Sequence, residues 1–279
     1  MRILDSHVHL WRIDAPGHVW PDADWPLLHR DFGLDDLRAD TTDVDLVGVV
    51  LVQSQPDDRD TDWMLARAAA DPLIAGVVGW VDLAARGAAD RIATLAAHAK
   101  LRGLRPMLQG IAETAWILDA ALAPAIESMI AHGLRFDALI EPRHLPVIET
   151  FAERWPDLAI VIDHGAKPDA GNRTLDPWRD AIAAIAARSG VYCKLSGLRT
   201  EQAQGQAAAE LEPFVAHLVT TFGDRLMWGS DWPVLRHAGD RYTDWIDAVR
   251  TMAGLPDERE AHLFEGAARR FYALSRVDD

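Results

Sequence analysis

The chain has 279 residues, of which 49% are hydrophobic and 25% charged, the composition of a folded globular protein. Its 43 acidic residues outnumber its 28 Lys and Arg residues, giving a formal net charge of −15. Surfaces that bind nucleic acids or anionic membranes concentrate basic residues, so neither partner is expected. The single cysteine, Cys193, excludes an intrachain disulfide, and the first residues do not form a secretory signal. We therefore expect a cytoplasmic protein.

Eight short apolar segments, rich in β-branched residues, alternate with amphipathic helical patterns. The predicted strands cover residues 3–9, 46–53, 74–81, 100–105, 136–141, 159–164, 191–196 and 226–230. Several are apolar throughout, which is typical of a parallel sheet covered on both faces. Eight such units predict a (β/α)8 barrel, a TIM-like α/β fold, as one domain over residues 1–279. An open doubly wound sheet is the alternative.

Prolines and capping residues predict where several helices begin and end. Asp60 or Thr61 is expected to cap one helix, and Pro124 to begin another. Pro156 should stop the helix that carries Leu145 and Ile148, and Pro177 suits the first turn of a helix over residues 178–188.

Residues 11–43 form a long connection after the first predicted strand. The segment contains three prolines, two glycines and three tryptophans: Pro16, Pro21, Pro26, Gly17, Gly33, Trp11, Trp20 and Trp25. Irregular connections of this length in compact domains are usually functional, so we expect a loop that covers the site. The alternative is a surface excursion pinned down by its aromatic residues.

Four side chains at predicted strand ends form a candidate active site. His7 and His9 share one face of the first strand, because side chains alternate along a strand. His164 ends the sixth strand on the same face as Ile160 and Ile162, which are expected to fill the barrel. Asp231 follows the eighth strand. Carboxyl ends of barrel strands meet at one face, so these imidazoles could surround a substrate oxygen or a metal ion. The structural alternatives are a core histidine and a turn aspartate.

Other strand-end residues are candidates for binding substrate. Arg105 could bind a substrate oxygen, or form an ion pair with Glu141 on the next strand. Lys194, predicted to lie inside the barrel, needs a charged partner such as Asp5 or Asp163. Aromatic faces suit sugar rings and amides suit hydroxyl groups, which adds five candidates: Trp11, Trp80, Trp232, Gln53 and Gln109.

Five motifs together resemble the amidohydrolase superfamily. They are Asp-Ser-His-Val-His-Leu-Trp at 5–11, Lys-Leu-Arg-Gly-Leu-Arg at 100–105, Asp-His-Gly-Ala-Lys-Pro at 163–168, Cys-Lys-Leu-Ser-Gly-Leu at 193–198 and Gly-Ser-Asp-Trp-Pro at 229–233. In this order they are similar to the amidohydrolase-2 branch, which contains sugar-acid lactonases. The resemblance spans nearly the whole chain.

This resemblance implies a distorted barrel that hydrolyses a substrate at a carbonyl group. The implied reaction opens an aldonolactone, such as L-fuconolactone, L-rhamnonolactone or L-galactonolactone. Asp231 would be the general base, His7, His9 and His164 would surround the carbonyl oxygen, and Arg105 would bind substrate. The same three histidines and Asp231 would hold a divalent cation, zinc by preference.

Two family features are missing from the chain. We find no clear second histidine at the end of strand seven and no match for the carboxylated lysine that bridges two metals. A binuclear centre is therefore not expected. Some lactonases of this branch act without a metal, so the resemblance leaves open whether a cation is dispensable.

The residues also leave alternative functions open. A pyrone-dicarboxylate lactonase or a metal-dependent decarboxylase would belong to the same superfamily. A dianionic substrate requires several arginines at strand ends, and the candidates are Arg105, Arg143 and Arg199. The non-enzymatic alternative is a barrel that binds sugar acids without turnover.

Overall fold

The computed structural model describes residues 1–275, in which eight parallel strands form one sheet ordered from β1 to β8. The strands are β1 (Arg2–Val8), β2 (Asp45–Val52), β3 (Ile74–Gly79), β4 (Leu101–Leu104), β5 (Arg135–Ala138), β6 (Ile160–Ile162), β7 (Val191–Leu195) and β8 (Leu226–Trp228). All eight predicted strands are confirmed. Each predicted strand extends one to three residues too far at its carboxyl end, where His9, Arg105 and His164 lie beyond the strands.

Helices follow the strands on the outside of the barrel. They are α1 (Leu34–Asp40), α2 (Asp58–Ala70), α3 (Ala88–Ala96), α4 (Ala123–Ala131), α5 (Leu145–Arg154), α6 (Trp178–Ala186), α7 (Glu212–Phe222), α8 (Tyr242–Ala253), α9 (Asp257–Ala261) and α10 (Ala267–Tyr272). In the described residues, none of these helices has the length and apolar character needed to cross a membrane.

The proline-based helix boundaries agree with the structure, whereas the predicted cap of α2 is wrong. Asp57 caps this helix by accepting a hydrogen bond from the backbone N–H of Arg59. Asp60 instead accepts hydrogen bonds from the backbone N–H groups of Ser54 and Gln55. Both aspartates satisfy backbone donors near the helix start, and sequence spacing alone did not distinguish them.

The first and last strands meet at a distorted seam that closes the barrel. Beyond the regular ladder, Val8 pairs with Trp232 in an isolated parallel bridge. The backbone N–H of His9 donates to the carbonyl oxygen of Trp232 at 2.7 Å. A doubly wound sheet would reverse its strand order, whereas these strands follow the chain order without reversal. The structure therefore supports the barrel and excludes the open-sheet alternative.

Residues 11–43 are less irregular than predicted, because they contain α1. Trp11 pairs with Phe32 across a short antiparallel bridge, and both side chains are buried. Asp40, at the end of α1, accepts hydrogen bonds from the indole N–H of Trp232 and from the guanidinium of Arg236. The segment is thus fixed to the carboxyl end of β8.

The core has an outer layer between the sheet and the helices, and a smaller cluster of strand residues and residues of α10. Ile160 and Ile162 belong to the outer layer with Ile148 of α5 and Ile182 of α6, whereas Val161 belongs to the smaller cluster. The expectation that Ile160 and Ile162 fill the barrel, with His164 on the same face, is therefore wrong. His164 reaches the mouth by another route, described below.

Candidate active site

His7 and His9 lie at the carboxyl end of β1 with their rings buried. The two Nε2 atoms are 3.2 Å apart. His9 Nδ1 lies 2.8 Å from the carbonyl oxygen of Val52, so Nδ1 carries the proton and Nε2 presents its lone pair. Burial and the nearby Lys194 ammonium lower the pKa of His7 well below its usual value. The His7 imidazole is therefore neutral at physiological pH.

Asp231 comes after β8 and faces the two histidines. Its Oδ1 lies 3.3 Å from His9 Nε2 and 3.7 Å from His7 Nε2. Burial alone would raise the pKa of Asp231, but its interactions with His164, His9 and His7 lower it below the usual value. The carboxylate is consequently ionised at neutral pH and able to accept a proton.

His164 reaches this cluster through an unusual backbone turn. Residues 164–167 all have positive φ, with values of 54°, 58°, 61° and 53°. The turn reverses the alternation of β6 and places the His164 ring 4.5 Å from the ring of His7. His164 Nδ1 lies 2.9 Å from Ser196 Oγ, and burial lowers its pKa to about 4. The imidazole is therefore neutral at physiological pH.

Gly197 leaves the space that the His164 ring occupies. A Cβ at this position would lie 2.3 Å from His164 Nδ1, closer than non-bonded atoms approach. Gly197 also has a φ of 62°, a conformation that glycine adopts without steric cost. This residue was not predicted from the sequence, although it directly follows Ser196 in one of the five motifs.

Arg105 lies at the centre of the cluster instead of pairing with Glu141. One guanidinium nitrogen is 3.3 Å from His7 Nε2 and 3.4 Å from Asp163 Oδ2. Glu141 pairs with Arg143 at 2.8 Å, so the alternative ion pair for Arg105 is wrong. Glu141 is nearly half exposed at the barrel rim, whereas Arg105 is 3% exposed.

Lys194 binds two buried carboxylates beneath His7. Its ammonium is 2.6 Å from Asp137 Oδ2, 3.0 Å from Asp163 Oδ1 and 3.2 Å from His7 Nδ1. Asp163 was one of its two expected partners. The other, Asp5, lies elsewhere, and the partner missed by sequence reasoning is Asp137. A signal was present, since Asp137 is a charge between Phe136 and Ala138 near the start of a predicted strand.

Asp5 instead connects the two sides of the seam. Its Oδ1 accepts hydrogen bonds from the backbone N–H of His7 at 3.0 Å and of Ser230 at 2.9 Å. Tyr242 donates its hydroxyl to Oδ2 at 2.8 Å. Burial raises the pKa of Asp5 to about 6. This side chain thus helps to fix the position of His7 relative to the β8 end, where Asp231 lies.

The donor set of His7, His9 and Asp231 fits a single divalent cation. The pairwise distances between His7 Nε2, His9 Nε2 and Asp231 Oδ1 are 3.2, 3.3 and 3.7 Å. Tetrahedral ligands at about 2.1 Å from zinc are separated by about 3.4 Å, so these atoms have the spacing of zinc ligands. His164 groups instead with His7 and Asp163. The geometry places three of the four predicted metal ligands around one point.

Three of the predicted substrate-contact residues already have partners in the protein. The Trp11 indole donates to the carbonyl oxygen of Arg30 and the Trp232 indole to Asp40, so both support residues 11–43. Gln53 donates to the carbonyl oxygen of Arg105 at 2.9 Å, and in the described residues its buried Oε1 has no hydrogen-bond partner.

Trp80 and Gln109 line two clefts that meet at Gly110. Trp80 lies in a largely apolar cleft of ≈ 380 Å³, together with Pro106 and Trp116. Gln109 lies in a cleft of ≈ 610 Å³ whose rim is rich in charged residues. Both clefts open where polypeptide leaves the carboxyl ends of central strands, the face that carries active sites in barrels of this type.

The sequence comparisons agree with this arrangement. The chain matches the amidohydrolase family (Amidohydro_2) over residues 4–274. It is 42% identical over 279 residues to an L-fucono-1,5-lactonase of Burkholderia ambifaria, covering 98% of this chain and 96% of the relative. It is 35% identical over 290 residues to an L-fucono-1,5-lactonase of Burkholderia multivorans, covering 99% and 97%.

A solved structure is similar over the same extent. The crystal structure of an amidohydrolase from Burkholderia multivorans with bound zinc superimposes with a TM-score of 0.92 at 34% identity, covering 99% of this chain and 100% of the other. Barrel, strand-end histidines and family match agree over nearly the full length, and the chain therefore belongs to the amidohydrolase family.

Proposed function

We propose that this protein is a lactonase that opens a neutral aldonolactone, with L-fucono-1,5-lactone as the first substrate to test. The observation that carries the proposal is Asp231, an ionised carboxylate held beside two buried imidazoles at a barrel strand end. The two curated lactonases at 42% and 35% identity support it over nearly the full chain.

The side chains have the geometry for base-assisted attack by water. Asp231 takes a proton from water, and the resulting hydroxide adds to the lactone carbonyl carbon. Negative charge then develops on the carbonyl oxygen, where Arg105 and the histidine cluster stabilise it. The bond between this carbon and the ring oxygen breaks, and the ring oxygen takes the proton back from Asp231. The product is a hydroxy acid.

A divalent cation, zinc by preference, would be held by His7 Nε2, His9 Nε2 and Asp231 Oδ1. When bound, it would polarise the carbonyl and lower the pKa of water. Support comes from the spacing of these three atoms and from the zinc found in the related amidohydrolase structure. The second carboxylate oxygen of Asp231 would then serve as the base.

The arginines at the barrel mouth favour a neutral substrate over a dicarboxylate. Arg143 is bonded to Glu141, Thr114 and the carbonyl oxygen of Gln109. Arg199 is paired with Asp240 through two nitrogens. Neither guanidinium is left for a substrate carboxylate, and an unpaired carboxylate buried beside Arg105 would be unfavourable. The pyrone-dicarboxylate alternative is therefore less well supported. The two lactonase relatives favour hydrolysis over decarboxylation or binding without turnover.

The wider assignments follow from the same proposal. The partner is a small sugar lactone, and the acidic net charge disfavours nucleic acids and anionic membranes. A single buried cysteine suits the reducing cytoplasm. Residues 11–43 would cover the site as part of one domain, supported by the bonds from Trp232 and Arg236 to Asp40.

A panel of lactones tests the substrate class. L-Fucono-, L-rhamnono- and L-galactonolactone are compared with 2-pyrone-4,6-dicarboxylate, and the acid released is followed with a pH indicator. We expect the best neutral lactone to exceed the dicarboxylate by at least about tenfold in kcat/KM, or about 1.4 kcal/mol of transition-state binding. A dicarboxylate that is better by the same factor would overturn the proposal.

A further inference from the structure

A charged cleft lies at the carboxyl ends of β4 to β7, the barrel face that carries the histidine cluster. It has a volume of ≈ 610 Å³ and is lined by Gln109, Glu141, Arg143, Lys167 and Glu201, among others. The backbone N–H of Lys167 donates to the carbonyl oxygen of His164 at 2.9 Å. Lys167, which lines the cleft, is therefore bonded through its backbone to the residue that carries the His164 imidazole.

The left-handed turn over residues 164–167 connects the cleft with the catalytic cluster. Three of its four residues are not glycine, and a left-handed conformation is unfavourable for L-amino acids. The turn directs the His164 ring toward His7. At its other end, Lys167 reaches Glu201 with an Nζ–Oε1 distance of 3.0 Å. One strained segment thus places a catalytic group and a rim ion pair side by side.

The rim presents hydrogen-bonding groups of both signs. Lys167 and Glu201 are each about one quarter exposed, at 24% and 22%. Arg143 holds Glu141 at 2.8 Å on the opposite side. Carboxylates accept hydrogen bonds from hydroxyl groups and an ammonium donates them. With Asp169, three carboxylates and two basic side chains line the cleft, so it disfavours an anionic ligand and suits a neutral ligand with many hydroxyl groups.

We propose that this cleft is the subsite for the hydroxyl groups of the lactone, and that Lys167 and Glu201 determine specificity for them. The inference rests on the proposed lactonase function and assigns a binding site to the part of the substrate that does not react. In this arrangement the carbonyl lies at the histidine cluster, and hydroxyl groups of the ring contact the ion pair.

Two lactones with the same six-membered ring test the subsite. L-Fucono-1,5-lactone carries hydroxyl groups and δ-valerolactone carries none. We expect Lys167→Met and Glu201→Gln each to raise KM for the sugar lactone at least about tenfold, because each loses a charge-assisted hydrogen bond. We expect kcat/KM for δ-valerolactone to change less than about twofold, since no hydroxyl group is there to bind.

Controls separate this role from a structural one. Arg179→Met removes an exposed ion pair with Asp176 on the outer surface, and both lactones should react as with the unchanged protein. The double variant K167M/E201Q has the same net charge as the unchanged protein. Its KM should be at most about three times that of either single variant. Equal losses for both lactones would show that the ion pair positions His164, and would overturn the subsite.

A binding measurement separates failure of the subsite from failure of the proposed function. Calorimetry with L-fuconate, the hydrolysis product, does not require turnover. Binding that weakens at least about tenfold in E201Q supports the subsite even if no lactone is hydrolysed. Equal affinity in both proteins, or no binding by the unchanged protein, would overturn it.

Discussion

The backbone N–H of Asp231 donates a 2.9 Å hydrogen bond to the carbonyl oxygen of His7, across the seam between the first and last strands. The side chains of the same two residues face each other, with Asp231 Oδ1 3.7 Å from His7 Nε2. Closing the barrel therefore also brings Asp231, the proposed general base, to the imidazole of His7. This explains why residues more than 200 positions apart form one site.

Gly197→Ala should reduce activity with little loss of folded protein. The new methyl group would clash with His164 Nδ1, because a Cβ there lies 2.3 Å from that atom. We expect kcat to fall at least about tenfold as the imidazole moves from its position. Gly254→Ala is a matched control, since Gly254 has the same left-handed α conformation as Gly197 but has nothing within 4 Å of its Cβ position. Similar kcat values for the two variants would contradict this account.

Lys194→Met should destabilise the protein more than the double variant K194M/D137N, in which the partner charge is removed as well. The single change leaves Asp137 without its cation and Asp163 with Arg105 alone, and breaking such buried pairs costs about 3–5 kcal/mol. K194M/D137N removes one positive and one negative charge together. We expect the double variant to recover at least about 1 kcal/mol of the free energy of unfolding in urea denaturation. A double variant that is less stable than K194M would contradict the assigned pairing.

Asp5 should make stability depend on pH in mildly acidic solution. Its pKa is raised by burial from 3.8 to about 6 in the folded protein. The protonated form is therefore favoured by folding, so this contribution is complete below about pH 4 and is lost as the pH rises through 6. The loss is on the order of 3 kcal/mol.

Comparison with Asp5→Asn isolates that contribution. The amide stays neutral at every pH and keeps an oxygen for the backbone N–H groups of His7 and Ser230. We expect the unfolding free energy of the unchanged protein, relative to that of D5N, to decrease between pH 4 and 7. A difference that stays constant, or that increases with pH, would contradict the raised pKa.

Zinc binding can be tested without measuring activity. If His7, His9 and Asp231 hold the cation, zinc stabilises the folded state by about 2.7 kcal/mol at one hundred times its Kd. We expect zinc to raise the Tm of the metal-free protein prepared with a chelator. The rise should be much smaller in His9→Gln, which lacks one ligand. His217→Gln, a change on the outer helix α7, should respond as the unchanged protein does. An equal rise in His9→Gln would place the cation elsewhere.

The sequence predicted the parts of the site that lie at strand ends. Eight apolar segments gave the barrel, and barrel geometry brought His7, His9, His164 and Asp231 to one face. Side-chain positions that depend on the local backbone conformation could not be predicted from the strand pattern. The left-handed turn at His164 contradicts strand alternation, and the proximity of Gly197 exists only once that turn is formed.

Buried pairs between distant strands were predicted only in part. A lysine inside the barrel required a carboxylate, which identified Asp163 but not Asp137. The aromatic candidates show the same limit, because an indole that could stack on a sugar could equally hold a loop. Trp11 and Trp232 hold residues 11–43 through their N–H groups. The residue type predicted what each side chain could bind, whereas its actual partner depends on the fold.

The most direct test of the central proposal compares hydrolysis of L-fucono-1,5-lactone by the unchanged protein and by Asp231→Asn. The amide keeps the size of the carboxylate but cannot accept the proton from water. We expect the unchanged protein to hydrolyse the lactone, and kcat in folded D231N to fall at least about 100-fold, the usual contribution of a general base. Near-normal kcat in folded D231N would contradict the assignment of Asp231, and absence of hydrolysis by the unchanged protein would contradict the proposed substrate.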